Sequence, residues 1–371
     1  MLSQLVNRFR VWAHSKKFPF RLQPSHAKSF GLLFAVGLIL SLVITACTNA
    51  SPTASSNSPA SPSSPAAPQV KVLKVAHQKG MANLEILKAR GSLEKRFEPQ
   101  GISVEWSEFP STAPLLEAMG VGSIVFGGGG ATGSVFAQAG DKPFVRVAKE
   151  ITSSPKGQPI LVLDSSPIKT LADLKGKKVG FAKGASSQYL IVRALKQAGL
   201  SFSDIEPVYL SPQDARPAFE RGDFDAWVIW DPYTAEAEKS LKVRRIADAG
   251  TIFGNKITIE SPAFYYAAPD FVRDQPELLD ALLDEVNKAG AWAKNNPSDV
   301  VTLLADRYKL PKDIMDTVQN RQGDRRIEPL TDEVLTALQN MADTFTDLKV
   351  IPKKIDVKDK NYNWFASKGW N

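Results

Sequence analysis

The stretch Lys177–Leu195 (KKVGFAKGASSQYLIVRAL) combines residues that can hold an anion without a cation. Lys178–Ala182 reads as a short apolar strand and Lys183-Gly184 as a tight turn. From Gln188 onward, Leu190, Ile191, Ala194, Leu195 and Ala198 recur at helical spacing, with Gly199 as the stop. Ser186 or Ser187 stands at the expected N-cap. The first N–H groups of a helix have no partner inside it, and the helix dipole adds roughly half a positive charge there. A strand, a glycine turn and a capped helix start therefore make a backbone cradle for an acid group. The plainer reading is an ordinary strand-to-helix turn with a good cap.

Open α/β sheets hold ligands beyond the carboxyl ends of their strands. His77, Gln78, Lys79 and Gly80 follow a strand predicted at Val72–Ala76. Gly127–Gly133 (GGGGATG) follows Ser123–Phe126, read as a strand running into a glycine loop. Gly184–Gln188 follow the strand described above, and Trp230, Asp231 and Pro232 follow Ala226–Val228. Two glycine-rich helix starts, an amide, a lysine, an indole and a carboxylate suit a small amphiphilic anion. Backbone N–H groups would take its acid head and Trp230 its apolar tail. Each residue also has a blander role. The glycine run can be a turn packed against a neighbour. Trp227 and Trp230 lie on opposite faces of their strand, and Trp227 is expected in the core. Asp231 before Pro232 reads most simply as an N-cap, and Lys79 as a solvated side chain.

Gly128, Gly130 and Gly133 also satisfy GxGxxG between a strand and a helix, and Glu150 ends the next strand twenty residues beyond Gly130. That is a dinucleotide fingerprint on paper. The unit is the third βα step of the body rather than its opening, and the chain carries an export signal. An NAD-dependent oxidoreductase is thus a distant alternative.

Positioning these residues takes a large α/β body, and 371 residues supply it. Strands are expected at Ser103–Phe109, Phe144–Ile151, Ile160–Leu163, Pro207–Leu210, Ala226–Trp230 and Ser261–Ala268. Helices are expected at Asn83–Phe97, Leu115–Met119, Ser134–Ala139, Asp214–Arg221, Pro276–Asn295, Pro297–Tyr308, Pro311–Asn320 and Thr331–Leu348. Repeated βα units predict largely parallel, doubly wound sheets.

The formal charge of +7 is concentrated at the start: residues 1–46 hold six basic and no acidic residues, leaving 40 basic against 39 acidic beyond. A nucleic-acid surface is not indicated. One cysteine and three histidines, two of them in the leader, leave no cysteine-rich or paired-histidine metal site, and GxSxG is missing. No metal, cofactor or catalytic residue is expected. Phe30–Ala46 is a 17-residue apolar run behind a basic flank, ending in Ile44-Thr45-Ala46-Cys47. A plain membrane anchor is close to this length, but the small-residue exit and lone cysteine predict a lipoprotein signal over residues 1–46, with Cys47 lipidated. Thr48–Gln69 is uncharged and made almost wholly of Ser, Ala, Pro, Thr and Asn. It is expected to be a tether spanning on the order of 25 Å.

Several longer segments carry a resemblance: ILKARGSLEKRF (86–97), WSEFPSTAPLLEAMGVGSIVFG (106–127), SPIKTLADLKGKKVGFAKGAS (166–186) and FERGDFDAWVIWDPY (219–233). FAQAGD (136–141), ALKQAGL (194–200) and ADTFTDLKVIPKKIDV (342–357) continue it. In this order they resemble the aliphatic sulfonate-binding proteins of ABC importers, within the wider group of taurine-, nitrate- and thiamine-precursor-binding proteins. The resemblance implies the periplasmic-binding-protein type II fold: two α/β lobes, two crossovers and a ligand cleft, with lobe 1 at 70–158 and 260–371 and lobe 2 at 159–259. It implies a monomeric, lipid-anchored periplasmic protein that hands a small organic sulfonate to an ABC permease, with nitrate or a thiamine-related pyrimidine as the alternative. Carried over residue by residue, the cleft comprises Gln78, Gly129, Gly130, Thr132, Gly184, Ser186, Ser187, Trp230 and Asp231. One departure stands out. Where the sulfonate binders show FGxxGExPPxFAQ, this chain has FGGGGATGSVFAQ. Ala131 replaces a common acidic residue and Gly133-Ser134 replaces Pro-Pro. Loss of that carboxylate makes taurine less secure than a plain alkanesulfonate.

Overall fold

A computed structural model describes residues 70–151 and 154–366; the export segment, Cys47 and the tether lie outside them. The first strands and helices alternate: β1 (Val72–His77), α1 (Ala82–Arg90), α2 (Ser92–Phe97), β2 (Ser103–Glu108), α3 (Thr112–Gly120), β3 (Phe126–Gly130), α4 (Ala131–Ala139) and β4 (Val145–Glu150). The chain then crosses to a second sheet through β5 (Pro159–Leu163), β6 (Lys178–Phe181), α5 (Ser186–Gln197), β7 (Glu206–Tyr209), α6 (Pro212–Glu220), β8 (Ala226–Val228), α7 (Tyr233–Ser240) and β9 (Val243–Asp248). After α8 (Ala249–Phe253) and α9 (Ile257–Glu260) it returns with β10 (Ala263–Ala267). The remainder is α10 (Pro269–Asp274), α11 (Pro276–Asn295), α12 (Pro297–Tyr308), α13 (Lys312–Arg321), β11 (Ile327–Glu328) and α14 (Asp332–Asp347).

The first sheet runs β11-β4-β10-β3-β1-β2 and the second β7-β6-β8-β5-β9. Helices flank both, giving two α/β lobes that face each other across a cleft. The sheets are mixed rather than largely parallel. β1 pairs in parallel with β2 and β3, and β6 with β7 and β8, whereas β10 runs against β3 and β4, and β5 against β8 and β9. The crossovers explain this. A strand reached from the other lobe starts at the cleft, so it runs opposite to neighbours that end there: Ala263 opens β10 beside Gly130, which closes β3.

Local chemistry sets the other differences from expectation. The helix predicted over Asn83–Phe97 is two helices, because Gly91 takes a left-handed φ of 60° that caps one and starts the next. The glycine run is strand, not loop. β3 lies between β1 and β10, and side chains there would strike Met81, Tyr265 and Leu115. β9 carries Arg244 and Arg245 and is only half-buried throughout, so it lacks the alternation that marks a strand in sequence. Trp227 is fully buried against Phe219, as expected of a core residue.

Candidate functional site

A cavity of about 140 Å³ opens between the lobes. Gln78 through Met81, Ser111 and Thr112, and Gly129 and Gly130 line it from the first sheet. Gln158, Ala185, Ser186, Trp230 and Asp231 line it from the second, Glu150 from the end of β4, and Ser154 and Ser261–Ala263 from the crossovers. Engineered cavities of similar size hold benzene. A small organic acid fits.

Several helices begin at this wall: α1 after Met81, α3 after Ser111, α4 after Gly130 and α5 after Ala185. Their positive dipole ends favour negative charge in the space they share. The starts of α4 and α5 meet closely. A Cβ built on Gly130 would lie 3.4 Å from Ser186 Cβ and 3.8 Å from its N.

Ala185, not a serine, is the N-cap of α5, and Ser186 opens the helix. No side chain among the described residues caps the helix; Gln188 Oε1 instead accepts from Gly184 N, before the N-cap, at 2.7 Å. The N–H of Gly184 is therefore occupied, while those of Ser186 and Ser187 donate to no partner among the described residues. Gln158 Nε2 donates to Ser186 Oγ at 2.6 Å. Having accepted, that hydroxyl keeps its own hydrogen for the cavity. Ser187 and Thr132 sit one residue further into α5 and α4, buried behind the lining, with hydroxyls that have no partner among the described residues. Of the expected cleft residues, Gln78, Gly129, Gly130, Ser186, Trp230 and Asp231 line the cavity, and Thr132, Gly184 and Ser187 stand behind it.

Gln78 spends both amide hydrogens inside the protein, on Gly128 O at 2.7 Å and Thr112 Oγ1 at 3.2 Å. Thr112, at the first position of α3, is thereby left with a free hydroxyl hydrogen at the cavity. Sequence reading missed Thr112 and Gln158, since each matters through a partner distant in the chain. Gly129 permits this packing: a Cβ there would lie 2.1 Å from Thr112 Oγ1 and 2.3 Å from Gln78 Nε2.

The indole of Trp230 donates to Lys79 O at 3.2 Å, so the ring offers the cavity its apolar surface. Gly80, with φ of +103°, makes room for that ring. The Lys79 ammonium is not merely solvated: it sits 5.7 Å from the Tyr233 ring centre and 5.6 Å from that of Tyr308. Asp231 Oδ1 accepts from Ala235 N at 3.1 Å, the capping role expected of it, and pairs with Arg321 at 3.1 Å. Burial pushes the Asp231 carboxyl up to about 6, against the pull of Arg321. Burial likewise pushes Glu150 up to about 7, although Tyr265 Oη donates to it at 2.9 Å. In sequence, Glu150 completes the dinucleotide fingerprint of the distant alternative. With the GxGxxG glycines in strand and helix, it lines the small cavity instead.

Comparison with known proteins agrees with this architecture. Residues 96–300 match the family model described as NMT1/THI5 like. A protein described as an aliphatic sulfonates-binding protein, from Escherichia coli (strain K12), is 39% identical over 78% of this chain and 88% of its own length. Its counterpart in Bacillus subtilis (strain 168) is 33% identical over 81% of this chain and 88% of its own length. The alkanesulfonate-binding protein SsuA from Xanthomonas axonopodis pv. citri, solved bound to MOPS, superposes with a TM-score of 0.75 at 32% identity, covering 81% of this chain and 100% of that one. The extent of these matches, over both lobes and the cleft between them, makes the chain a member of the NMT1/THI5-like family alongside the aliphatic sulfonate-binding proteins.

Proposed function

We propose that this chain is the solute-binding component of an ABC importer and captures a small organic sulfonate, binding it without transforming it. One observation carries the reading. The starts of α4 and α5 converge on a small cavity where the Ser186 and Ser187 N–H groups have no partner among the described residues. A sulfonate presents three acceptor oxygens and one delocalised charge, which suit backbone N–H groups, the hydroxyls of Ser186 and Thr112, and helix dipoles. Trp230 would cover the carbon tail, and closure of the lobes would present a surface to the permease. We assign residues 1–46 as a lipoprotein signal, Cys47 as the lipidated residue and 47–69 as the tether of a monomeric periplasmic protein. Lobe 1 would comprise 70–158 and 260–371, and lobe 2 159–259. Replacing Cys47 with Ser should release the protein from membranes; persistent membrane association would favour an uncleaved anchor.

Thermal denaturation with ethanesulfonate, nitrate, a thiamine-precursor pyrimidine and NAD tests the ligand class. A sulfonate present at 100 times its Kd should stabilise the fold by about 2.7 kcal/mol. Ser186→Pro should abolish that gain in a folded protein. Proline is accepted at the first position of a helix, and Ala185 before it is already extended, with ψ of 166°. An unchanged sulfonate shift in the folded variant would remove the cradle from the account, and stabilisation by nitrate or pyrimidine alone would replace the ligand class.

A further inference from the structure

Glu150 ends β4 on the cavity wall and is only 9% exposed. Its Oε1 accepts from Tyr265 Oη, which Asn83 supports from behind at 3.1 Å. Its Oε2 has no partner among the described residues. Neighbouring cations are engaged elsewhere. The Lys149 ammonium pairs with Glu328 and donates to the main-chain oxygen of Glu150 at 3.2 Å. Arg325, in the segment before β11, donates to Gln319 at 3.1 Å and acts on Glu150 only through its field. Also on the lining, Lys79 lies between aromatic rings and Asp231 is held by Arg321. The site thus has donors for an acid group and, separately, a carboxylate oxygen on the cavity wall that no hydrogen bond among the described residues reaches. A plain alkanesulfonate has nothing to give that oxygen, and an uncompensated buried carboxylate is costly.

Building on the sulfonate-binding reading, we propose that Glu150 determines specificity by receiving on Oε2 an ammonium group of the ligand, so that the site prefers aminoalkanesulfonates. The charges suit a zwitterion: helix starts and hydroxyls for the sulfonate, Glu150 for the cation. Ala131, directly after β3, supplies no carboxylate. That residue is buried at the first turn of α4 and does not line the cavity, so the carboxylate comes from β4 instead.

Calorimetric titration of the full chain, in buffers free of sulfonate, with ethanesulfonate, 2-hydroxyethanesulfonate and 2-aminoethanesulfonate tests this. The amino compound should bind roughly 10- to 100-fold more tightly than the other two, the range of a charge-assisted hydrogen bond. Glu150→Gln, which keeps an acceptor for Tyr265, should erase that preference by weakening the amino compound relative to ethanesulfonate. In the unaltered protein, the amino compound alone should release about half a proton per ligand at pH 7, measured by repeating the titration in Tris and imidazole, because it selects the ionised form of an acid that titrates near 7. Equal affinities for the three sulfonates, or a preference that survives in the variant, would overturn the assignment to Glu150 while leaving the sulfonate reading intact. Binding of none of them would remove the sulfonate reading itself.

Discussion

Arg321 Nη1 lies 3.1 Å from Asp231 Oδ1, so a cation at the last residue of α13 holds a carboxylate at the end of β8 across the two lobes. The other guanidinium nitrogen lies 2.5 Å from Glu238 on α7, which also pairs with Arg245 at 2.5 Å. The Ser154 hydroxyl, in the first crossover, donates to Arg321 O at 2.9 Å. Elements from both lobes and a crossover therefore meet on one residue beside the cavity.

Arg321→Gln should consequently destabilise the protein in a pH-dependent way. Asp231 is buried, and Arg321 is the largest influence holding its carboxyl down. Without it, an ionised Asp231 at pH 8 is left without its main partner, costing about 1–3 kcal/mol. At pH 5 the carboxyl is mostly protonated and the loss shrinks. Urea denaturation of both proteins at the two pH values measures the difference. An equal loss at pH 5 and pH 8 would mean that Arg321 acts through packing or through Glu238, whose carboxyl is held low, rather than through Asp231.

Glu150 supplies a second pH prediction. Its carboxyl is raised from 4.5 to about 7 by burial, so the fold favours the neutral form. Stability from this group is complete below about pH 4.5 and is lost as pH rises through 7, an effect worth about 3 kcal/mol. Asp231, raised to about 6, acts in the same direction over a slightly lower window. Glu85 and Glu238 are lowered despite their burial, Glu85 mainly by His77 and Glu238 by Arg245 and Arg321, and act in the opposite sense under acid conditions. Glu150→Gln should therefore gain on the unaltered protein between pH 5 and pH 8 in the absence of ligand. Parallel stability profiles would show that Glu150 is solvated.

The residues that were legible in sequence were those whose local pattern agrees with their final surroundings. Leu278, Leu279, Leu282, Leu283 and Val286 announce α11 because its whole apolar face is buried. Gln78, Trp230 and Asp231 were found because strand ends define a cleft without any knowledge of contacts. Gly127–Gly130 misled, since glycine disfavours strands and only the demands of Met81, Thr112 and Tyr265 for space make it fit here. Glu150 could be placed beside the cleft only after β10, from more than a hundred residues later, was inserted against β4. The serines of α5 looked like caps because hydroxyls usually are; the helix instead opens at Ser186 after Ala185, and Gln188 folds its amide back onto Gly184.

Gly130 and its neighbour Gly129 should respond differently to the same substitution. Gly129→Ala forces a Cβ to within 2.1 Å of Thr112 Oγ1, so Thr112 and Gln78 must move, at about 1–3 kcal/mol of stability. Gly130 has an ordinary extended backbone, with φ of −66°, and an added Cβ would meet Ser186 at 3.4 Å, normal contact distance. Gly130→Ala should therefore fold with nearly unchanged stability. Its methyl group, however, stands 3.8 Å from the Ser186 nitrogen, where a bound acid group would seek the N–H. Sulfonate affinity should fall roughly tenfold, equivalent to about 1.4 kcal/mol, and further in Gly130→Val. Denaturation and calorimetric titration of the three variants separate the effects. Full affinity in a folded Gly130→Val would show that the acid group sits away from the junction of α4 and α5.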